Sequence, residues 1–277
     1  MSGRQLVVFT DLDGTLLDHD DYGWAPARPA LDALRMRGAA LVLVSSKTRA
    51  EMLEFRRQLG HQGPFGVENG GALFIPQGHF TDQETPDDDG LRAIVLGTPY
   101  TRIRTVLERL REREGFAFEG FGDVNALKLS EWTGLSPEQA RRAQARESSE
   151  PILFHGDDRE LQRLRATLER EQLRLLRGGR FFSVQGPSDK GTVVRYLLKS
   201  YGARKPGRPP LSVALGDSEN DLAMLREVDI PIRIPKKHGC APLAFEHPRL
   251  ISPRAPGPRG FRAGIEAVLA RLDDDRN

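Results

Sequence analysis

The sequence is poor in cysteine: Cys240 is the single one among 277 residues. An internal disulfide and a cysteine-built metal knuckle are thereby excluded, and a lone thiol suits a reducing compartment. Cys240 reads as a small buried residue or an incidental loop thiol. Long apolar runs are missing as well. The first apolar stretch covers only residues 6–9 before charge begins, and no later run could cross a bilayer. A soluble cytoplasmic protein with no membrane partner is expected. Charge of one sign is also lacking: 41 Lys+Arg against 39 Asp+Glu leaves a net charge of +2, which gives no footprint for nucleic acid. The one unusual basic loop, residues 204–208, has no interleaved aromatics.

What is present is ordinary globular material, 38% hydrophobic and 29% charged, long enough for one large domain or two modest ones. Residues 6–9 read as a buried strand that ends in Thr10 and Asp11. A helix over 26–37 is stopped by Gly38, and a second buried strand follows at 39–44. The pattern continues with a helix over 48–59 and a short strand at 65–68. This alternation argues for a parallel sheet with right-handed crossovers. Asn69-Gly70-Gly71 then signals a turn, and 72–75 look like the returning arm of a hairpin.

Residues 81–90 are acidic, polar and proline-containing, which fits a linker. Beyond it a second unit is expected, with strands at 93–96, 116–118, 152–154, 173–176 and 181–184. Arginines and glutamates over 102–114 read as a solvated helix face. Ser136-Pro137-Glu138-Gln139 resembles a capping box. A second hinge at 185–188 returns the chain to a helix over 190–201, a buried strand at 212–215 and a helix over 219–226. The expected fold is α/β: an open Rossmann-like parallel-sheet core from 1–88 and 188–277, with an α+β cap domain inserted at 89–187.

The chemistry concentrates at predicted strand ends. Asp11-Leu12-Asp13-Gly14-Thr15 follows the first strand, where open α/β sheets bind ligands. Residues two apart on an extended backbone share a side, so Asp11 and Asp13 can face one ligand. Two crowded carboxylates need a cation or a shared proton. Ser45 closes the second strand, Lys190 opens a helix after the second hinge, and Gly216-Asp217-Ser218-Glu219-Asn220-Asp221 follows another buried strand. Asp217 and Asp221 are four apart at a helix start, which predicts a common face. Singly, each is an ordinary turn, cap or surface charge; together they mark one site.

This set resembles the haloacid dehalogenase superfamily: D-x-D-G-T, a strand-ending Ser/Thr, a Lys and G-D-x-x-N-D, with an insert matching its large type-2 cap. The resemblance implies a phosphatase in which Asp11 is the nucleophile and Asp13 the general acid and later base. Ser45 and Lys190 would steady the phosphoryl group. It implies Mg²⁺ held by Asp11, Asp217 and the backbone carbonyl of Asp13, with Asp221 ligating through water or orienting Lys190.

Val44-Ser45-Ser46-Lys47-Thr48, Val67-Glu68-Asn69-Gly70-Gly71, Glu131-Trp132-Thr133-Gly134-Leu135-Ser136 and Gly178-Gly179-Arg180-Phe181 resemble the mannosyl-3-phosphoglycerate phosphatases. That implies hydrolysis of a small phosphorylated sugar-glycerate, mannosyl-3-phosphoglycerate before its glucosyl counterpart, in the making of a compatible solute. A sugar phosphomutase is the alternative. Lys47 and Arg180 are the candidates for anionic groups, and Glu68 and Asn69 for hydroxyls or loop shape. Asn220 joins them as a substrate-binding candidate. Trp132 reads as cap core.

Overall fold

The computed structural model describes residues 4–80, 89–178, 180–237 and 244–274. Its first half runs β1 (Leu6–Thr10), α1 (Arg28–Met36), β2 (Ala40–Val44), α2 (Arg49–Leu59), β3 (Phe65–Val67), β4 (Ala72–Pro76) and β5 (Leu91–Val95). Then come α3 (Tyr100–Glu114), β6 (Phe118–Gly120), α4 (Ala126–Thr133), α5 (Pro137–Gln144), β7 (Ser149–Phe154), α6 (Asp158–Arg170), β8 (Arg174–Arg177) and β9 (Phe182–Gln185). The chain closes with α7 (Lys190–Ala203), β10 (Leu211–Gly216), α8 (Leu222–Leu225), β11 (Ile230–Arg233) and α9 (Gly257–Asp274).

Seven strands form one sheet in the order β11-β10-β1-β2-β3-β4-β5. The pairings among β11, β10, β1, β2 and β3 are parallel, whereas β4 and β5 join antiparallel. Every residue of β1 is buried. Leu6 and Val8 face one cluster with Leu31 and Leu34 of α1, Met52 of α2, and Phe261 and Ile265 of α9. Val7 and Phe9 face the other, with Val193, Leu197 and Tyr201 of α7 and Met224 and Leu225 of α8. The period-two alternation of one strand therefore feeds two cores, as a sheet covered on both faces requires. Each such side chain contributes roughly 1.5–3 kcal/mol by leaving water.

From β1 the chain winds outward through β2 and β3, and it later returns through β10 on the opposite side of β1. The direction of winding reverses between β1 and β10. A crevice opens at that point, at the carboxyl ends of the strands.

The inserted cap domain is a four-stranded antiparallel sheet, β6-β7-β9-β8. Ile103, Val106, Leu107 and Leu110 of α3 and Leu164 and Leu168 of α6 pack against Phe118, Ile152 and Val184. A separate cluster joins Phe121 with Leu129 and Trp132 of α4 and Ala140 and Ala143 of α5, so Trp132 is core. The Ser136 capping box opens α5.

Three expectations need correction. The strand predicted at 93–96 as part of the insert is β5, an edge strand of the core sheet paired with β4. Its alternating burial fits a half-exposed edge, but alternation alone does not say which sheet a strand joins. The chain therefore leaves the core sheet after Val95, not within 81–90. Residues 81–88 of that linker, like Cys240, lie outside the described residues. The strand expected at 116–118 begins two residues later, at Phe118. The helix expected over 219–226 is a single 3-10 turn, Glu219–Asp221, followed by the four-residue α8.

Candidate active site

Asp11 leaves β1 with its amide donating to the Leu215 carbonyl of β10, 3.0 Å away. The chain then turns back, with Gly14 N–H donating to the Leu17 carbonyl at 3.0 Å. Gly14 holds φ +77°, and a β-carbon there would lie 2.8 Å from the Asp217 carboxylate. Glycine is needed twice over, for the left-handed backbone and for the close approach.

Lys190 opens α7 behind Asp189, whose side chain caps the helix. Its ammonium donates to Asp11 Oδ1 and to Asp221 Oδ1, each at 2.6 Å, and all three side chains are buried. Burial alone would strip the ammonium of its proton, yet the two carboxylates hold its pKa above the ordinary lysine value. The second oxygen of Asp221 accepts from the Asp217 and Ser218 amides and from Ser218 Oγ, each at 3.0 Å. Asp217 and Asp221 thus meet through a tight turn, not along a helix face as the spacing suggested. Both oxygens of Asp221 are taken up by this scaffold.

Asp11, Asp217 and Asp221 offer carboxylate oxygens within 4.8 Å of one another. Burial pushes the Asp11 carboxyl well above its usual range, with Asp221 and Asp13 adding to the rise against the pull of Lys190. Burial, then Asp221, raises Asp217 to about 6. Asp13 Oδ1 and Asp217 Oδ1 are buried without a hydrogen-bond partner. An all-oxygen donor set with orphaned oxygens and surplus negative charge fits a hard divalent cation such as Mg²⁺.

Ser45 follows β2, fully buried, and its Oγ accepts from the Lys47 amide at 3.2 Å. Lys47 Nζ lies 2.8 Å from Asp13 Oδ2. Burial, the largest single influence, opposes its charge, but Asp13 together with Glu51 and Tyr22 keeps its pKa above the ordinary lysine value.

Glu68 and Asn69 follow β3 in a turn held at φ +50° and +55°, with Gly70 at +87°. Asn69 accepts from Asn220 Nδ2 at 2.9 Å, which ties the turn to the Asp217–Asp221 loop. Of the two roles expected for Glu68, a hydroxyl contact or loop shape, its surroundings fit the second. Its carboxylate is fully buried and accepts from the Glu147 and Ser148 amides and from Ser149 Oγ at 2.6–3.1 Å. It fastens the start of β7 to the core, a loop-shaping role.

The acids open into a depression of about 520 Å³ lined by Asp13, Gly14, Asp217 and Lys237. Ser46, Ser218 and Lys236 also line a larger cleft of about 1200 Å³ with Asn69, Asn220 and Arg180. Arg180 is exposed, and its guanidinium donates to the Trp132 carbonyl. Sequence reasoning missed Arg146, Arg177 and Lys236 in this cleft. Arg146 lies one residue before the segment that Glu68 holds, a relationship that only the fold reveals.

Residues 8–234 match the haloacid dehalogenase-like hydrolase family. The chain belongs to that family. It is 41% identical over 235 residues to the glucosyl-3-phosphoglycerate/mannosyl-3-phosphoglycerate phosphatase of Methanococcoides burtonii, covering 84% of this chain and 86% of that one. The protein of the same name from Persephonella marina is 37% identical over 273 residues, covering 97% and 98%. A solved sugar phosphatase of haloacid dehalogenase subclass IIB superposes with a TM-score of 0.57 at 15% identity, over 83% of this chain and 87% of its own. As a haloacid dehalogenase-like enzyme with phosphatase relatives along nearly its whole length, the chain is a phosphoric monoester hydrolase.

Proposed function

We propose that this hydrolase releases phosphate from glucosyl-3-phosphoglycerate and mannosyl-3-phosphoglycerate through a phospho-aspartate on Asp11. The observation that carries the reading is the continuity between the two halves of the cavity. A buried acid cluster built around Lys190 opens into a cleft that, among the described residues, presents Arg146, Arg177, Arg180 and Lys236 against one acid, Glu219. A cleft of that size and charge suits a sugar ester bearing both phosphate and carboxylate. The names of the two curated relatives support the same substrate class.

In this mechanism Lys190 holds Asp11 Oδ1 and so presents Oδ2 to phosphorus. Formation of the phospho-aspartate divides the hydrolysis into two phosphoryl transfers. Asp13 Oδ1, buried and unengaged, gives a proton to the leaving glycerate oxygen and then takes one from the attacking water. Ser45 and Lys190 steady the phosphoryl oxygens while charge moves. Asp11, Asp217 and the Asp13 carbonyl would hold Mg²⁺, which supplies charge neutralisation at the phosphoryl group; Asp221 serves by orienting Lys190. Closure of the cap over the cleft would exclude water during the reaction.

Phosphate release from a panel of phosphorylated sugars and glycerates, with Mg²⁺ and with chelator, tests the proposal. Metal-dependent turnover of the two glycosyl-3-phosphoglycerates well above hexose 6-phosphates is expected. Equal turnover of unrelated esters would remove the substrate assignment, and isomerised sugar phosphate without phosphate release would make the enzyme a mutase.

A further inference from the structure

We infer that Lys47 reads a carboxylate on the leaving group, and that Tyr22 is a positioning residue that holds Lys47 for this task. The inference rests on the phosphatase reading above and assigns one anion of the substrate to one residue.

The geometry around Lys47 is unusually constrained for a lysine. Its ammonium sits 5.2 Å from the Tyr22 ring centroid and 5.3 Å from that of Phe55, with Asp13 Oδ2 at 2.8 Å. The side chain is only 13% exposed. Two aromatic faces attract the cation and restrict the stem. An ammonium has three donors, and Asp13 occupies one of them.

Asp13 marks where the leaving oxygen must be, because a general acid has to lie within hydrogen-bond reach of the atom it protonates. In a 3-phosphoglycerate ester that oxygen is on carbon 3, and the carboxylate is two carbons further on. A cation already bonded to Asp13 is therefore beside the carboxylate once the phosphate is in place. Arg180 cannot be assigned this anion on the same grounds. It belongs to the cap wall of the cleft, and its guanidinium donates to the Trp132 carbonyl.

Tyr22 carries the second observation. It holds φ +55°, an uncommon conformation for a bulky residue, and it is half exposed outside any core cluster. The loop that imposes this closes with Asp18 N–H donating to the Gly23 carbonyl at 2.9 Å. Strain at a residue with little burial to offset it points to a positional role. Its ring meets the Lys47 ammonium.

Two matched pairs of esters test this. The first is 2-O-glucosyl-3-phosphoglycerate against 2-O-glucosylglycerol 3-phosphate, and the second is 3-phosphoglycerate against glycerol 3-phosphate. Within each pair only the carboxylate is exchanged for a hydroxymethyl group. Wild-type enzyme should prefer the carboxylated member, and Lys47→Gln should cut that preference, as a ratio of kcat/KM, by about 10- to 100-fold. Tyr22→Ala should weaken the preference mainly through KM, and Tyr22→Phe should restore it. A preference confined to the second pair removes the sugar assignment and leaves the role of Lys47 readable there. No preference in the wild-type enzyme in either pair, or a preference untouched by Lys47→Gln, overturns the inference.

Discussion

Ser149 Oγ donates to Glu68 Oε2 at 2.6 Å, joining residues 81 positions apart in the chain. Through this contact and two backbone amides, the turn after β3 holds the first residues of β7. The same turn reaches Asn220 through Asn69, so one short segment touches both the acid cluster and the cap.

Glu68→Ala leaves a buried amide, a part-buried amide and a buried hydroxyl without their acceptor, and it should cost about 2–4 kcal/mol of stability. Urea unfolding measures this. Glu68→Gln keeps one acceptor oxygen and should fall between wild type and alanine. A loss below about 1 kcal/mol for alanine would show that the tether contributes little.

Lys190→Met leaves Asp11 and Asp221 facing each other in a buried site. Removing one partner of a buried charge cluster typically costs about 3–5 kcal/mol. Phosphate release should fall about 100- to 1000-fold, the usual effect of losing one preorganised donor. Steady-state kinetics on folded variant, checked by circular dichroism, separates the two losses.

His61 provides a pH prediction far from the acids. Its Nδ1 is 3.0 Å from Arg56 Nη1, its Nε2 is 2.9 Å from the Leu41 carbonyl, and burial followed by Arg56 lowers its pKa to about 3. Between pH 6.5 and about 3 the unfolded chain binds this proton and the folded chain does not. Stability is therefore lost as pH falls through 6.5, by about 1.4 kcal/mol per pH unit. From pH 6.5 to 5 the loss is about 2 kcal/mol, and His61→Gln should remove that part of the slope. Identical slopes in the two proteins would contradict the assignment.

Much of the core was legible because strand ends announce themselves. Continuous apolar runs stop at Asp11, Ser45 and Asp217, and the sheet brings those ends together. What was illegible depended on tertiary pairing. β5 alternates like any half-buried strand, so only its ladder with β4 assigns it to the core. The Asp217–Asp221 spacing suggested a helix, but Asp221 instead closes a turn by accepting two backbone amides. Glu68 read equally as a contact for ligand hydroxyls or as a shaper of its loop. Nothing local shows that its partners are Glu147, Ser148 and Ser149, 79 to 81 positions further along the chain. Arg146, before β7, and Arg177, at the end of β8, could not be told from the many other arginines until the fold placed both along the cleft.

The central claim is that phosphate passes through Asp11. Rapid acid quenching of enzyme mixed with labelled glucosyl-3-phosphoglycerate and Mg²⁺, followed by peptide mapping, tests it directly. The account predicts transient label on the peptide carrying Asp11, lost on chase with unlabelled substrate, and neither label nor turnover in Asp11→Asn. Full turnover in Asp11→Asn, or turnover with no protein-bound phosphate at any quench time, would contradict it.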